Sequence, residues 1–292
     1  LAKGLFHKVL SISPCTASRT REIATLETLQ LAELAGVSNN LEGWSRLSEA
    51  EILAVEDRYR ESILVGNLSD LAIHLDRSAT DNQMHLACQP FVDGEVLPHN
   101  PIEAFKIGVG DEYSLVIGAT SEEFVAPQFV PVDKAGSLDW LRKLKRSEAI
   151  SPAVDAVLAN EANEHDPIGR VLTQTLFRDT VRSVAFARKR DGVKTWVYDF
   201  DWKSQVSLRA QHCIDLPFAW NLLDAEGVSI ALGKNPPQSL ADAMHQSWLG
   251  LMKENQPHWN AFGESGVITV FDESGSTPIV DANLEHFSPA KG

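Results

Sequence analysis

Two side chains that could carry out acid–base chemistry follow apolar segments of this sequence. His212 lies in a short polar loop, followed at once by the apolar, proline-containing run Leu216–Trp220. Glu123 comes a few residues after the apolar segment Leu115–Ile117. A neutral imidazole can take a proton from a hydroxyl nucleophile, and a carboxylate can fix the tautomer of that imidazole and stabilise its protonated form. The pair therefore indicates two members of a Ser-His-acid triad, with His212 as the base and Glu123 as the acid.

The nucleophile of such a triad is not recognisable in this sequence. Where the acid precedes the histidine, as here, α/β-hydrolases place the serine earlier still, inside the pentapeptide G-x-S-x-G. That pentapeptide occurs nowhere in the 292 residues. Cys15 is a poor substitute, because a reactive thiolate needs an electropositive setting that its neighbours do not supply. With 9 histidines and 40 acidic residues present, residue chemistry alone leaves open that both groups are ordinary side chains.

The elements that would position these groups belong to an α/β fold with parallel strands. Apolar runs typical of strands occur at 5–12, 115–117, 195–200 and 267–271, the last of them edge-like. Apolar residues at helical spacing predict helices over 19–37, 48–59, 101–108, 135–159, 167–189 and 239–254. Because side chains that follow parallel strands gather at one edge of the sheet, we expect Glu123 within about 3.5 Å of the His212 Nδ1 atom. Glu122 should then point away.

Three stretches are less clearly patterned. Residues 90–98 predict a hairpin around an Asp93-Gly94 turn. Residues 67–85 fit either helix and loop over a cleft or an insertion, and the tail after Asp272 is predicted to be poorly ordered. Since no repeat or linker divides the chain, residues 1–292 are interpreted as part of a single domain.

Five segments, taken in order, resemble the type-B carboxylesterases, the family of para-nitrobenzyl esterases and cholinesterases. They are Gly4–Ser13, Pro90–Pro98, the strand that leads to Glu123, Gln211–Phe218, and the late helix with Met244 and Trp248. Each segment is modest by itself. Their shared order over most of the chain is what makes the resemblance specific.

The resemblance implies the C-terminal portion of an α/β-hydrolase fold, with parallel strands covered by many helices. It implies hydrolysis of carboxylic esters through a Ser-His-Glu triad, to which this chain contributes His212 and Glu123. The resemblance is what selects Glu123 over the adjacent Glu122, because the family has an acid, then the catalytic Glu, then Gly. The serine and the oxyanion hole would lie upstream, in a nucleophile-bearing N-terminal part that residues 1–292 do not include. We therefore expect these residues alone to be inactive, with an ester substrate and the missing N-terminal half as partners. No cofactor and no metal are expected.

Several positions depart from the family pattern. Ser13-Pro14-Cys15 stands where the family has Ser-Gly-Ser, so Ser13 either helps to pack the catalytic loop or merely caps the next turn. Phe124 replaces a glycine after the catalytic acid, so the sequence does not determine whether the family's turn forms here. Cys213 and Ile214 replace the small residue that follows the histidine and are expected to narrow the alcohol side of the pocket.

Composition restricts the partners. A net charge of −14 argues against nucleic acid and anionic membranes, which require clustered Lys and Arg. Three widely spaced cysteines, Cys15, Cys88 and Cys213, are interpreted as reduced thiols of a cytoplasmic protein. His74 and His85 lack a His or carboxylate partner three or four residues later, so they do not indicate a metal site.

A second functional class fits the same resemblance. Some cholinesterase-like domains are non-catalytic binding modules that have lost their serine. The presence of both Glu123 and His212 favours the hydrolase, because a binding module has no need of them. A metal-dependent hydrolase is a third alternative, with no clustered ligand motif in its favour.

Overall fold

The structure, a computed structural model, describes residues 3–16, 18–63, 90–125, 133–144, 146 and 150–288. The chain divides into two compact units. The larger comprises Leu1–Cys15, Ile102–Lys143 and Ser151–Gly292, and the smaller comprises Thr16–Pro101 and Leu144–Ile150. That residues 1–292 belong to a single domain stays a prediction. His74, His85, Cys88 and the stretch 67–85 lie outside the described residues.

A five-stranded sheet organises the larger unit. Its strands, in spatial as well as chain order, are β1 Lys8–Ile12, β2 Ser114–Thr120, β3 Thr195–Phe200, β4 Val267–Asp272 and β5 Gly275–Val280. The first four pair in parallel, and β5 is antiparallel to β4. The predicted α/β class with a mainly parallel sheet is confirmed.

Both faces of this sheet are covered, which explains why its central strands are apolar throughout. Every residue of β2 and β3 is buried. On β3, Trp196 and Tyr198 belong to a core cluster that includes Trp248, whereas Val197 between them belongs to a second cluster with Val184. Side chains alternate across a strand, so the two clusters lie on opposite faces. Strands that are buried on both faces have nearly continuous hydrophobic sequences.

The helices connect and cover the strands. In chain order they are α1 Arg21–Ala35, α2 Leu41–Trp44, α3 Glu49–Ile63, α4 Pro101–Lys106, α5 Lys134–Lys143, α6 Ser151–Ala159, α7 Pro167–Thr173, α8 Asp179–Ala187, α9 Leu216–Ala219, α10 Val228–Leu232, α11 Gln238–Glu254 and α12 Phe262–Ser265. In the smaller unit α1 packs against α3. Gly36 ends α1 in the left-handed conformation, and the Ser48 N–H donates to Glu51 at 2.7 Å in a capping box before α3.

The stretch 135–159, predicted to be helical, contains two helices. Helix α5 ends at Lys143, and α6 begins at Ser151. Pro152 explains the break, because it lies in the first turn of α6, where its missing N–H is not needed. Inside a continuous helix the same proline would remove a hydrogen bond and clash with the preceding turn.

The hairpin predicted over residues 90–98 is wrong. Phe91 forms an isolated bridge with Arg19, and no strand follows it. Instead, the Asp93 carboxylate accepts hydrogen bonds from the backbone N–H groups of Glu95, Val96 and Leu97, at 2.8, 2.9 and 2.9 Å. An aspartate that binds nearby backbone donors competes with cross-strand pairing.

The predicted edge strand at 267–271 is not at the edge, and the described part of the tail after Asp272, predicted to be poorly ordered, contains a further strand. Asp272 accepts the backbone N–H of Ser274 at 2.8 Å, which turns the chain back. Strand β5 then pairs along the whole of β4. The sequence of β5, Gly275–Val280, gives no strong apolar signal, because none of its residues is buried.

The predicted long helix at 167–189 is present, with one difference in register. Between α7 and α8, Gln174–Arg178 forms a π-helical segment, and the run ends at Ala187. The segment directs Arg178 toward Asp199 on β3. Its guanidinium donates two hydrogen bonds to the Asp199 carboxylate, at 2.8 and 3.2 Å. The two side chains are only 3% and 2% exposed.

Loss of one partner of this buried ion pair is expected to destabilise the protein strongly. Arg178→Met leaves the Asp199 charge buried without its guanidinium partner, with His286 Nε2 at 3.8 Å as its remaining contact. The free energy of unfolding should therefore fall by about 3–5 kcal/mol. Urea unfolding followed by tryptophan fluorescence measures the change. Arg142→Met is the matched control, since Arg142 and Glu161 form an ion pair that is 50% and 46% exposed. It should change stability by less than about 1 kcal/mol, and an equal effect of both variants would contradict the prediction.

Candidate active site

Backbone hydrogen bonds join the two loops that follow β2 and β3. Ser121 donates its N–H to the Phe200 carbonyl oxygen at 2.9 Å, and Glu122 donates to Ala210 at 3.1 Å. His212 donates its own N–H to the Glu123 carbonyl oxygen at 3.3 Å. Because β2 and β3 are parallel neighbours, their carboxyl ends bring these loops together.

Glu123 and His212 meet at this edge of the sheet, although they are 89 residues apart in the chain. One Glu123 carboxylate oxygen, Oε2, lies 2.5 Å from His212 Nδ1. The Glu123 side chain is fully buried, whereas the His212 side chain is 49% exposed. The expected contact is therefore confirmed. Its catalytic meaning stays a prediction.

The second carboxylate oxygen of Glu123 is fixed by two further donors. Ser13 Oγ donates to Glu123 Oε1 at 2.6 Å, and the backbone N–H of Thr120 donates to the same atom at 2.7 Å. Of the two roles considered for Ser13, packing of the loop that carries the acid is the one observed. With both oxygens engaged, the carboxylate cannot rotate freely, which holds the imidazole in one orientation.

The residues on either side of Glu123 point elsewhere. The Glu122 carboxylate faces Arg209 at 3.4 Å and Lys203 at 3.8 Å, as expected for a residue that points away from the histidine. The backbone N–H of Phe124 donates to Thr173 Oγ1 at 2.9 Å. The turn thus forms with phenylalanine in place of glycine, because helix α7 provides a partner for it.

The imidazole of His212 is held by packing as well as by its hydrogen bond. Phe177, in the π-helical segment, has its ring centroid 5.3 Å from that of His212. Cys213, the next residue, is exposed and has a φ of 66°, in the left-handed region that small residues favour. The hydrogen bond to Glu123 raises the pKa of His212 above its usual value of 6.5.

Asp215 is a buried carboxyl to which the sequence pattern assigned no role. Its side chain accepts a hydrogen bond from the Tyr198 hydroxyl at 3.3 Å. Burial, together with the nearby charge of Glu123, raises the pKa of Asp215 to about 7. An acidic residue inside the apolar run Ile214–Phe218 was the signal available, since a carboxyl in such a run must find a buried partner.

The pKa of His212 should depend on Glu123 in a predictable direction. Glu123→Gln removes the negative charge that stabilises the imidazolium, so the pKa of His212 should fall. NMR titration of the His212 ring protons measures it. Glu122→Gln is the matched control and should leave that pKa nearly unchanged, since Glu122 faces Arg209 and Lys203. A higher His212 pKa in Glu123→Gln would contradict the assignment.

A cavity of about 550 Å³ with charged walls lies next to the Glu123–His212 pair. Its walls include Glu122, Asp166, Arg170, Lys203 and Arg209, and neither His212 nor Glu123 contributes. Its charges are largely paired with one another, as in the contacts of Arg209 with Glu122 and Asp166.

The described residues contain neither a cluster of metal-ligating side chains nor a helix that could span a membrane. Within them, no group of three or more His, Cys, Asp or Glu side chains is arranged to hold a metal ion. None of the described helices is long and apolar enough to cross a membrane.

Comparison with protein families gives a direct match. The model of the Carboxylesterase family matches residues 1–273, which is most of the chain. The chain belongs to the carboxylesterase family. The predicted relation to type-B carboxylesterases is confirmed, and Glu123 and His212 both lie inside the matched region.

The relatives matched within this family are distant in sequence. The para-nitrobenzyl esterase of Bacillus subtilis is 25% identical over 302 residues, and the match covers 100% of the chain and 58% of the relative. The phenmedipham hydrolase of Pseudarthrobacter oxydans is 26% identical over 310 residues, with coverage of 99% and 58%. The chain thus spans less than two thirds of the length of these relatives.

Solved structures show the same fold. A thermophilic PNB esterase superposes with a TM-score of 0.72 at 21% identity, over 99% of the chain and 58% of that structure. The carboxylesterase of Geobacillus stearothermophilus superposes with a TM-score of 0.70 at 23% identity, over 100% and 59%. The predicted α/β-hydrolase architecture is confirmed by this likeness.

Proposed function

We propose that this carboxylesterase chain is the C-terminal part of a serine esterase and supplies the general base and its orienting acid. His212 is the base and Glu123 the acid. The serine and the oxyanion donors lie in a preceding part of the protein, and without it the chain does not turn over esters. The observation that carries the proposal is the 2.5 Å contact between a buried carboxylate and an exposed imidazole.

In the proposed reaction, the serine hydroxyl attacks the carbonyl carbon of the ester while His212 Nε2 accepts the hydroxyl proton. The carboxylate of Glu123 stabilises the imidazolium through Nδ1. When the tetrahedral intermediate collapses, the bond to the alcohol oxygen breaks, and His212 returns the proton to the departing alcohol. Water then attacks the acyl-serine with His212 again as base, which releases the carboxylic acid.

Contacts around Glu123 support this assignment of roles. Ser13 and the Thr120 N–H occupy one carboxylate oxygen, so the other is directed at Nδ1. An Nδ1–H donor bound to a carboxylate leaves Nε2 as the proton acceptor. A binding module that had lost catalysis would gain nothing from a carboxylate held in this way, so the geometry favours the esterase over the module.

The substrate class that fits is a carboxylic ester. The family and the similarity to a para-nitrobenzyl esterase support it, whereas the acyl and alcohol groups are left open. A small-molecule ester and the preceding part of the protein are thus the proposed partners, with neither nucleic acid nor membrane involved. A cytoplasmic location is part of the proposal, and the free thiol of Cys213 is consistent with it.

The coding sequence that precedes Leu1 provides the test. We expect it to encode roughly another half-domain containing G-x-S-x-G, the nucleophile motif of this fold. The protein expressed with that part should hydrolyse p-nitrophenyl acetate and be inhibited stoichiometrically by a serine-directed organophosphate. A preceding sequence without a nucleophilic serine, together with an inactive protein, would instead favour the binding module.

A further inference from the structure

A serine–histidine cluster, formed by Ser247, His258 and Ser276, lies on the larger unit and shares no residue with the Glu123–His212 pair. His258 follows helix α11 and sits between two serines. Its Nε2 atom lies 2.7 Å from the Ser276 hydroxyl oxygen on β5. Its Nδ1 atom lies 2.8 Å from the Ser247 hydroxyl oxygen on α11. The ring is therefore held on both of its nitrogen atoms.

The hydrogen-bond directions in this cluster follow from Ser247. The Ser247 hydroxyl donates its proton to the Ala243 carbonyl oxygen at 2.7 Å, so its oxygen accepts the Nδ1–H of His258. A neutral imidazole carries a single N–H, which makes Nε2 the acceptor. The Ser276 hydroxyl consequently donates its proton to Nε2. A base in contact with a nucleophile and oriented by a third group is the signature of an activated serine.

The surroundings of His258 favour its neutral, proton-accepting form. Partial burial lowers the pKa of His258 below its usual value. Trp259 contributes to that burial, with its ring in an edge-on contact 5.2 Å from the imidazole. No carboxylate is needed to orient the His258 ring, because the neutral Ser247 hydroxyl fixes its tautomer.

The residues that hold this cluster in place are buried, whereas its imidazole and the Ser276 hydroxyl are accessible to solvent. Ser247 is 1% exposed, and the fully buried Thr269 places its hydroxyl 3.2 Å from that of Ser276. Ser276 is also fixed by the ladder, in register with Phe271 of β4. By contrast, His258 is exposed and Ser276 only half-buried, so a small molecule in solution can reach the hydroxyl.

We propose that Ser276 is an activated serine that accepts acyl or phosphonyl groups from small activated electrophiles, such as aryl esters and fluorophosphonates. His258 is the general base, and Ser247 is the positioning residue. With an aryl ester, Ser276 Oγ forms a bond to the carbonyl carbon while its proton passes to His258 Nε2. The bond from that carbon to the aryl oxygen then breaks, and His258 gives the proton to the departing aryl oxide. The products are an O-acyl serine at position 276 and a phenol. With a fluorophosphonate, Ser276 Oγ forms a bond to phosphorus, the P–F bond breaks, and fluoride leaves while the hydroxyl proton passes through His258 to solvent.

Site-resolved labelling tests this proposal. The full chain is treated with p-nitrophenyl acetate, and separately with a fluorophosphonate, at mildly basic pH, then digested and analysed by tandem mass spectrometry. Ser274 is the internal control, because it lies two residues away and its hydroxyl contacts Asp272 rather than a histidine. Label at Ser276 should exceed label at Ser274 by about 10²-fold, the lower end of what a positioned general base contributes.

Variants separate activation from mere accessibility. His258→Gln keeps a polar side chain but removes the base, so label at Ser276 should fall to the level of Ser274. Ser247→Ala removes the group that fixes the His258 tautomer. It should reduce labelling of Ser276 by about tenfold, which is a smaller part of the general-base contribution. Because the readout is one peptide, it does not depend on whether the proposed esterase triad is correct.

Equal labelling of Ser276 and Ser274 in the unaltered chain would overturn the proposal. So would unchanged Ser276 labelling in a His258→Gln variant whose circular dichroism matches that of the parent. If that variant does not fold, the ratio of Ser276 to Ser274 labelling in the unaltered chain decides the question alone.

Discussion

His212→Ala is expected to lower kcat for ester hydrolysis by about 10⁵-fold or more in the protein that contains this chain and its proposed nucleophile. The substitution removes the proposed base outright, so the serine hydroxyl has no acceptor for its proton. The KM should change little, because the imidazole contributes to proton transfer rather than to substrate affinity. Steady-state kinetics with p-nitrophenyl acetate measure both constants.

Folding should survive this change, which makes the kinetic result interpretable. The His212 side chain is 49% exposed, so little packing is lost when it is removed. The expected cost concerns Glu123, whose buried carboxylate would lose one of its partners. Circular dichroism and urea unfolding check that the variant is native at the assay temperature.

His245→Ala is the matched control for this experiment. His245 also lies in the larger unit and also makes a hydrogen bond through Nδ1, at 3.0 Å to the Ala219 carbonyl oxygen. It has no carboxylate contact among the described residues, and its removal should leave kcat within about threefold of the parent, as for ordinary surface changes. A His212→Ala variant with near-normal kcat would show that the base lies elsewhere.

The sheet edge at which Glu123 and His212 meet could be predicted because its causes are local. Apolar runs at 115–117 and 195–200 predict buried strands, and parallel neighbours necessarily place their carboxyl ends together. The choice between Glu122 and Glu123 came from the family resemblance. Geometry supports it independently, because Glu122 faces Arg209 and Lys203 whereas Glu123 faces the histidine.

The contacts that complete the pair could not be predicted, for two physical reasons. Ser13 and Glu123 are separated by 110 residues, and a serine at a strand end serves equally well as a turn cap, so its partner is visible only in the fold. Phe177 reaches His212 from a π-helical segment, where the register differs from the 3.6-residue period used to assign helix faces.

The elements that were predicted wrongly share a different cause, namely a side chain that competes with the backbone. Asp93 binds three backbone N–H groups, so residues 90–98 turn without forming a hairpin. Asp272 similarly turns the chain into β5, a strand with too few apolar residues to stand out. Short polar residues favour such local bonds, and hydrophobic periodicity does not detect them.

Glu123→Gln is expected to lower kcat by about 10³–10⁴-fold, the effect of replacing a triad acid by its amide. Gln has nearly the same shape, and its carbonyl oxygen can still accept from Ser13 and from the Thr120 N–H. Its NH₂ group then faces His212 Nδ1. Since that group can only donate, it binds the tautomer in which Nδ1 is the acceptor and Nε2 carries the proton. Such an imidazole cannot take a proton from the serine.

The same mechanism predicts how the activity of Glu123→Gln depends on pH. The acid limb of the kcat/KM profile reports the pKa of the free base, so it should move to lower pH in Glu123→Gln, as the His212 pKa falls. Above that limb activity should stay low, because deprotonation does not restore the productive tautomer. Glu122→Gln, which alters the neighbouring carboxylate, should retain kcat within about threefold, as for a change outside the reacting groups. If Glu122→Gln were the more damaging variant, the acid would be Glu122, and the 2.5 Å contact of Glu123 with His212 would be structural rather than catalytic.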